Sequence, residues 1–151
     1  MATFQFELQP LLEHRQRIED EKQKTLAQQL RLREALERQL RELQETVVSD
    51  KHTMKQQLIG KVDVSRIRQH ALHGHQVSIR AQQLLMRLAQ LMQQIDAARA
   101  ELIEASRERK AVEKLREKRY QAWQREQNKR EARQLDEIAV QQYTRLRRLA
   151  V

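Results

Sequence analysis

Apolar residues recur along this chain at alternating steps of three and four, and the two longest runs of that spacing lie on either side of one glycine. The second run is the cleaner: Val77, Ala81, Leu84, Leu88, Leu91, Ile95, Ala98, Leu102, Ala105, Arg109 and Val112 follow one another with a single polar residue, Arg109, in the row. Leu26, Leu30, Leu36, Leu40, Leu43 and Val47 form the first run, with Arg33 filling one slot and a mean step of about 3.5. A strict seven-residue repeat keeps one seam of a helix facing a partner and implies a left-handed coiled coil. Leu8, Leu11, Leu12 and Ile18 extend the first helix toward the N-terminus, with Pro10 in its first turn, where a missing N–H costs nothing. Between Val48 and Ser65 the pattern loosens around Gly60, and Asp63 or Ser65 is placed to cap a new helix.

These signals predict an all-α chain: a long antiparallel two-helix coiled-coil hairpin, a rod, in one domain. Helix 1 is expected over about 8–58, a turn over about 58–64 and helix 2 over about 65–148. At about 1.5 Å per residue the arms are unequal, roughly 75 Å against roughly 125 Å. A reversal centred near residue 61 sets position i opposite about 122 − i, so that Leu8 meets Lys114 and everything beyond Leu115 overhangs without an intramolecular partner.

Composition supports this reading. Of 151 residues, 34% are charged and only two are Gly and one Pro, too few for the turns of a mixed or all-β domain. The aromatics are Phe4, Phe6, Tyr120, Trp123 and Tyr143, so an ordinary globular core is hard to assemble. Zero cysteines exclude a disulfide scaffold and thiolate chemistry. The N-terminus has no basic region followed by an apolar run, and no stretch reaches membrane-spanning length, so a cytoplasmic protein is expected. Net charge is +9, and a surplus of six is concentrated between Arg107 and Arg133, where eleven basic residues face five Glu; acidic partners are attracted in a salt-sensitive way.

Catalytic signatures are missing. Two glycines cannot build a phosphate loop, and the carboxylates lie on solvated helix faces beside Lys and Arg rather than in a desolvated cleft, so no enzyme activity and no cofactor are expected. His70 and His73 share a helical face and the hairpin brings His52 opposite them, but no thiol or carboxylate completes a metal set, and ordinary polar surface near the turn is the better reading. Gly74 inside helix 2 is a tolerated defect, or else a flexible point or close contact. Tyr120 and Trp123 share a face outside the paired region; they either cover Phe4 or Phe6 or serve as Arg-flanked interface anchors, and the two roles are compatible. The basic stretch follows the seam and contains interspersed Glu, unlike the basic region of a leucine-zipper factor, so no specific nucleic-acid binding is expected.

The segment from Ile95 to Ala139 resembles the C-terminal half of the flagellar export protein FliJ family. That family reads Arg-x-x-Leu-x-x-Ala, then Lys-Ala-Leu-Glu-Lys-Leu, then a polar helix ending Leu-Asp-Glu-Ile-Ala. The matching residues are Arg99, Leu102, Ala105, Lys110, Ala111, Glu113, Lys114 and Leu115, then Arg130, Glu131, Leu135, Asp136, Glu137, Ile138 and Ala139. Phe4, Phe6, Leu8, Leu12, Arg15 and Glu19 are similar to the family's aromatic-then-Leu opening. Val112 departs from the usual Leu, and the centre is Gln-rich.

The resemblance implies a soluble component of the flagellar type III export apparatus, peripheral at the inner face of the cell membrane. Its termini-bearing end would enter the pore of the hexameric export ATPase FliI, its hairpin region and the middle of helix 2 would meet the cytoplasmic domain of the gate protein FlhA, and it would handle export chaperones. By motif position the protein-binding residues are Arg116, Arg119, Tyr120, Trp123, Arg125 and Arg130 for the ATPase end, with Phe4 and Leu8 pinning the termini. The alternatives are the equivalent stalk of a virulence injectisome and a charge-driven coiled coil on nucleic acid or a membrane surface.

Overall fold

A computed structural model describes residues 3–149, with side chains through Arg147. The described chain is two long helices packed against each other, α1 (Gln9–Gln57) and α2 (Val64–Leu149), with no strand among the described residues. By internal packing it divides into two compact units, Asp20–Glu104 and the residues on either side, up to Glu19 and from Ala105.

The central unit carries the apolar seam. Val77, Ala81, Leu84, Leu88, Leu91, Ile95, Ala98 and Leu102 are all buried or half-buried, and every other residue from Val77 to Leu102 is exposed. Such a clean alternation is what a 3.5-residue repeat imposes on a helix with one partner. Leu36, Leu84, Leu91 and Ile95 form the core, Ile95 being only 2% exposed, and Leu26, Leu30, Leu40, Leu43 and Leu88 pack around them. Across the seam Lys22 Nζ lies 2.7 Å from Glu101 and His73 Nε2 lies 3.2 Å from Asp50, so position i faces about 123 − i in this unit.

The chain reverses between Gln57 and Val64. The Leu58 N–H donates to the Met54 carbonyl (3.2 Å) and the Ile59 N–H to that of Gln56 (3.3 Å), after which Gly60 takes φ +96°, the left-handed conformation that ends helices and favours glycine. Asp63 then caps α2, its Oδ1 accepting the Ser65 backbone N–H at 2.9 Å.

In the other unit the seam turns polar. Phe6, Leu12 and Ala105 are buried, but between them Arg15 pairs with Glu108 and Arg109 pairs with Glu19 and, at 2.7 Å, with Glu113. Residues 3–6 are not helical and run along α2 ahead of α1. The Gln9 N–H donates to the Phe6 carbonyl and the Leu12 N–H to that of Leu8, both at 3.0 Å, which starts α1. A non-helical chain advances about twice as far per residue as a helix. The N-terminal segment therefore reaches past the expected end of pairing at Leu115: Glu7 meets Arg119 at 3.3 Å, and Phe4 meets Tyr120 and Trp123. The uncovered part of α2 begins at Gln124.

Candidate partner-binding surfaces

Local geometry divides the eight sequence-designated residues into two groups. Phe4, Arg119, Tyr120 and Trp123 belong to a collar that binds the N-terminal segment to α2, and Leu8 follows that segment. Phe4 stands edge-on to Tyr120 (centroids 5.3 Å, 77°) and tilted against Trp123 (5.8 Å), while Tyr120 and Trp123, one turn apart, stack at 5.9 Å. These are favourable aromatic separations. The Arg119 guanidinium sits 5.8 Å from the centre of the Phe6 ring and also reaches Glu7, so one cation ties down both a ring and a carboxylate. Leu8 is half-buried where α1 starts. Of the two roles open to Tyr120 and Trp123, covering the N-terminal aromatics is therefore realised within the chain.

Arg116, Arg125 and Arg130 are exposed on α2. From Gln124 to Arg147 every side chain is exposed except half-buried Gln127. Contacts there follow the helix itself, Arg130 to Glu126 at 3.8 Å and the Thr144 hydroxyl to the Val140 carbonyl at 2.9 Å. Leu135, Ile138, Tyr143 and Leu146 are all exposed at helical spacing, an apolar stripe that the polar composition of the segment concealed.

A second surface lies in the central unit. Leu40, Leu43, Val47 and Met54 of α1 and Val77 and Ala81 of α2 line an open groove of about 710 Å³, with His70 and Asp50 at its side. It exists because α2 presents small residues to the seam here. Gly74, Ser78 and Ala81 line it, and a Cβ built on Gly74 would meet nothing within 4 Å. Sequence reasoning missed this groove; the signal was the run of small residues at helical spacing opposite Val47 and Met54. The close contact considered for Gly74 is not there.

Near the turn two histidines take single partners. His73 pairs with Asp50, and His52 lies 3.1 Å from Gln56. Among the described residues no group of three His, Asp or Glu is arranged to hold a metal ion. The Arg109 guanidinium is raised above the ordinary arginine value, chiefly by its hydrogen bond to Glu19, against the opposing effect of desolvation. No helix among the described residues is long and apolar enough to cross a membrane.

No curated protein and no solved structure matches the chain. A family model does, the one described as Flagellar FliJ protein, over residues 4–148. That match takes in the turn, the aromatic collar, nearly all of both helices and the exposed stretch of α2. The chain therefore belongs to the FliJ family, and is a component of the flagellar type III export apparatus.

Proposed function

We propose that this chain is the central stalk of the hexameric export ATPase FliI, that it links the ATPase to the cytoplasmic domain of the gate protein FlhA, and that it handles export chaperones, at the inner face of the cell membrane. The observation that carries this reading is the exposed, basic, Gln-rich stretch of α2 from Gln124 to Arg147, beyond the collar. A ring interior is a polar surface that must release and rebind its axle. Charged side chains with a few apolar anchors suit such transient contacts better than a continuous apolar face does.

In this reading Arg125 and Arg130 meet carboxylates inside the ring, Arg116 meets those at its mouth, and Leu135, Ile138, Tyr143 and Leu146 supply the apolar anchors. Phe4, Leu8, Arg119, Tyr120 and Trp123 fix the base from which that helix projects. The groove of the central unit is the surface offered to the gate, its apolar lining suiting inserted side chains and its open rim suiting exchange of partners. The test is ATP turnover by the hexameric ATPase with and without the chain. Stimulation by the wild type is expected, along with a loss of apparent affinity of about tenfold or more for Arg125→Glu combined with Arg130→Glu. A wild-type chain that neither binds nor stimulates would overturn the reading.

A further inference from the structure

The reversal between α1 and α2 has an unusual composition for a surface turn. Such turns are usually made of Gly, Pro, Asn, Asp and Ser, whereas residues 58–64 read Leu-Ile-Gly-Lys-Val-Asp-Val. Leu58, Ile59, Val62 and Val64 are all exposed, Ile59 at 82% and Val64 at 70%. Exposed apolar side chains in single file are unremarkable, but four within seven residues at one end of a hairpin make a patch that calls for an occupant.

The surrounding charge indicates which occupant. Lys51, Lys55, Lys61, Arg66 and Arg68 lie between residues 51 and 72, the stretch of both helices that flanks the turn, and the only carboxylate in that span is Asp63. Asp63 is itself engaged, capping α2 through Ser65 and lying 3.6 Å from Arg66. Short aliphatic side chains on a turn, surrounded by long cationic ones, match the layering of a bilayer edge. The aliphatics enter the boundary between headgroups and acyl chains, while the Lys and Arg stems extend along it and deliver their charges to phosphates. A protein receptor for the same turn would have to enclose side chains on a protruding end and also supply several carboxylates. An anionic lipid surface provides both features without a fitted pocket.

We propose that the hairpin end of the central unit docks on an anionic membrane surface. Leu58, Ile59, Val62 and Val64 enter the interface, and Lys55, Lys61, Arg66 and Arg68 contact lipid phosphates. The docking is independent of the ATPase reading, since it needs lipid alone.

The experiment is flotation of the full chain with phosphatidylcholine vesicles carrying about 30% phosphatidylserine, at about 150 mM salt, where diffuse attraction by net charge is screened beyond about 8 Å. The wild type is expected to float with these vesicles and not with pure phosphatidylcholine. Ile59→Asp with Val62→Asp should lose at least tenfold in partitioning. Lys55→Gln with Lys61→Gln should lose about 25-fold, at roughly fivefold per cation. Lys110→Gln with Lys114→Gln, which removes the same charge from exposed positions in the other unit, should change it less than about twofold. Far-UV circular dichroism establishes that each variant keeps its helices, and Ile59→Ser with Val62→Ser repeats the apolar test without added charge. Absence of flotation by the wild type overturns the proposal and leaves the turn to a protein receptor. Equal losses for the two lysine pairs, or no loss on removing Ile59 and Val62, also overturn it, because binding would then be adsorption by net charge.

Discussion

Arg109 on α2 donates to Glu19 on α1 from a seam position whose neighbours three and four residues away are Ala105 and Val112. Both side chains are about one-fifth exposed, at 21% and 19%. A charge pair set into an apolar seam discriminates between registers, because sliding either helix by one step leaves a carboxylate or a guanidinium against alkyl groups. Breaking it from one side, by Arg109→Leu, is expected to cost about 1–2 kcal/mol, between an exposed and a fully buried pair. Replacing both, Glu19→Leu with Arg109→Leu, should recover most of that loss while weakening register. Urea unfolding of the three chains measures the energies, and cross-linking of a cysteine pair placed across the seam reads the register.

The contribution of Arg109 should not vary with pH over the working range. Its folded-state value lies above the unfolded one, chiefly because of Glu19, so the stabilisation is fully present below the unfolded value and disappears only as pH rises through the folded one, in strong alkali. The stability difference between the wild type and Arg109→Gln is expected to stay flat from about pH 6 to about pH 9. A slope across that interval would mean that another group titrates with this pair.

The two glycines should respond to alanine in opposite directions. Gly74 lies inside α2 with open space where a Cβ would go, so Gly74→Ala is expected to raise stability by about 0.5–1 kcal/mol. Gly60 sits at φ +96°, and Gly60→Ala should lower stability by about 1 kcal/mol or more despite equally open surroundings. Thermal melts of both variants decide the matter. If gate binding uses the groove, Gly74→Ala should also weaken it by partly filling the space.

Trp123 is the only tryptophan and one wall of the collar, so its fluorescence reports whether the N-terminal segment is seated. Phe4→Ala removes both ring contacts, each worth about 0.5–1.5 kcal/mol. A red-shifted emission and faster proteolysis ahead of Gln9 are expected, with little change in helix content. An unchanged spectrum would mean that Trp123 takes its environment from α2 alone.

The paired architecture was legible because a 3.5-residue repeat demands a partner helix and two such seams flank one turn, and the positions from Val77 to Val112 that the repeat singled out are all buried or half-buried. The turn was legible from Gly60, where the conformation demands glycine. The extent of the N-terminal cover was legible only in part: the register ended pairing at Leu8 opposite Lys114 and left out the non-helical residues ahead of α1, whereas Phe4 reaches Tyr120 and Trp123, one of the two roles open to those rings. The groove escaped as well. Gly74, Ser78 and Ala81 look unremarkable singly, and only a partner helix converts missing side chains into a volume. Of the designated residues, Tyr120 and Trp123 take the covering role that was one of the two open to them, Arg119 carries an intramolecular role that its charge masked, and Arg116, Arg125 and Arg130 remain exposed.

The collar makes the exposed helix a peg with a shoulder. Below Gln124 the cross-section widens abruptly from one helix to a helix plus a strap of backbone and three clustered rings. Any sleeve threaded over α2 from its C-terminal side would run freely along single-helix width and stop at Trp123, so that insertion depth is set by sterics in the peg and not by affinity for the sleeve.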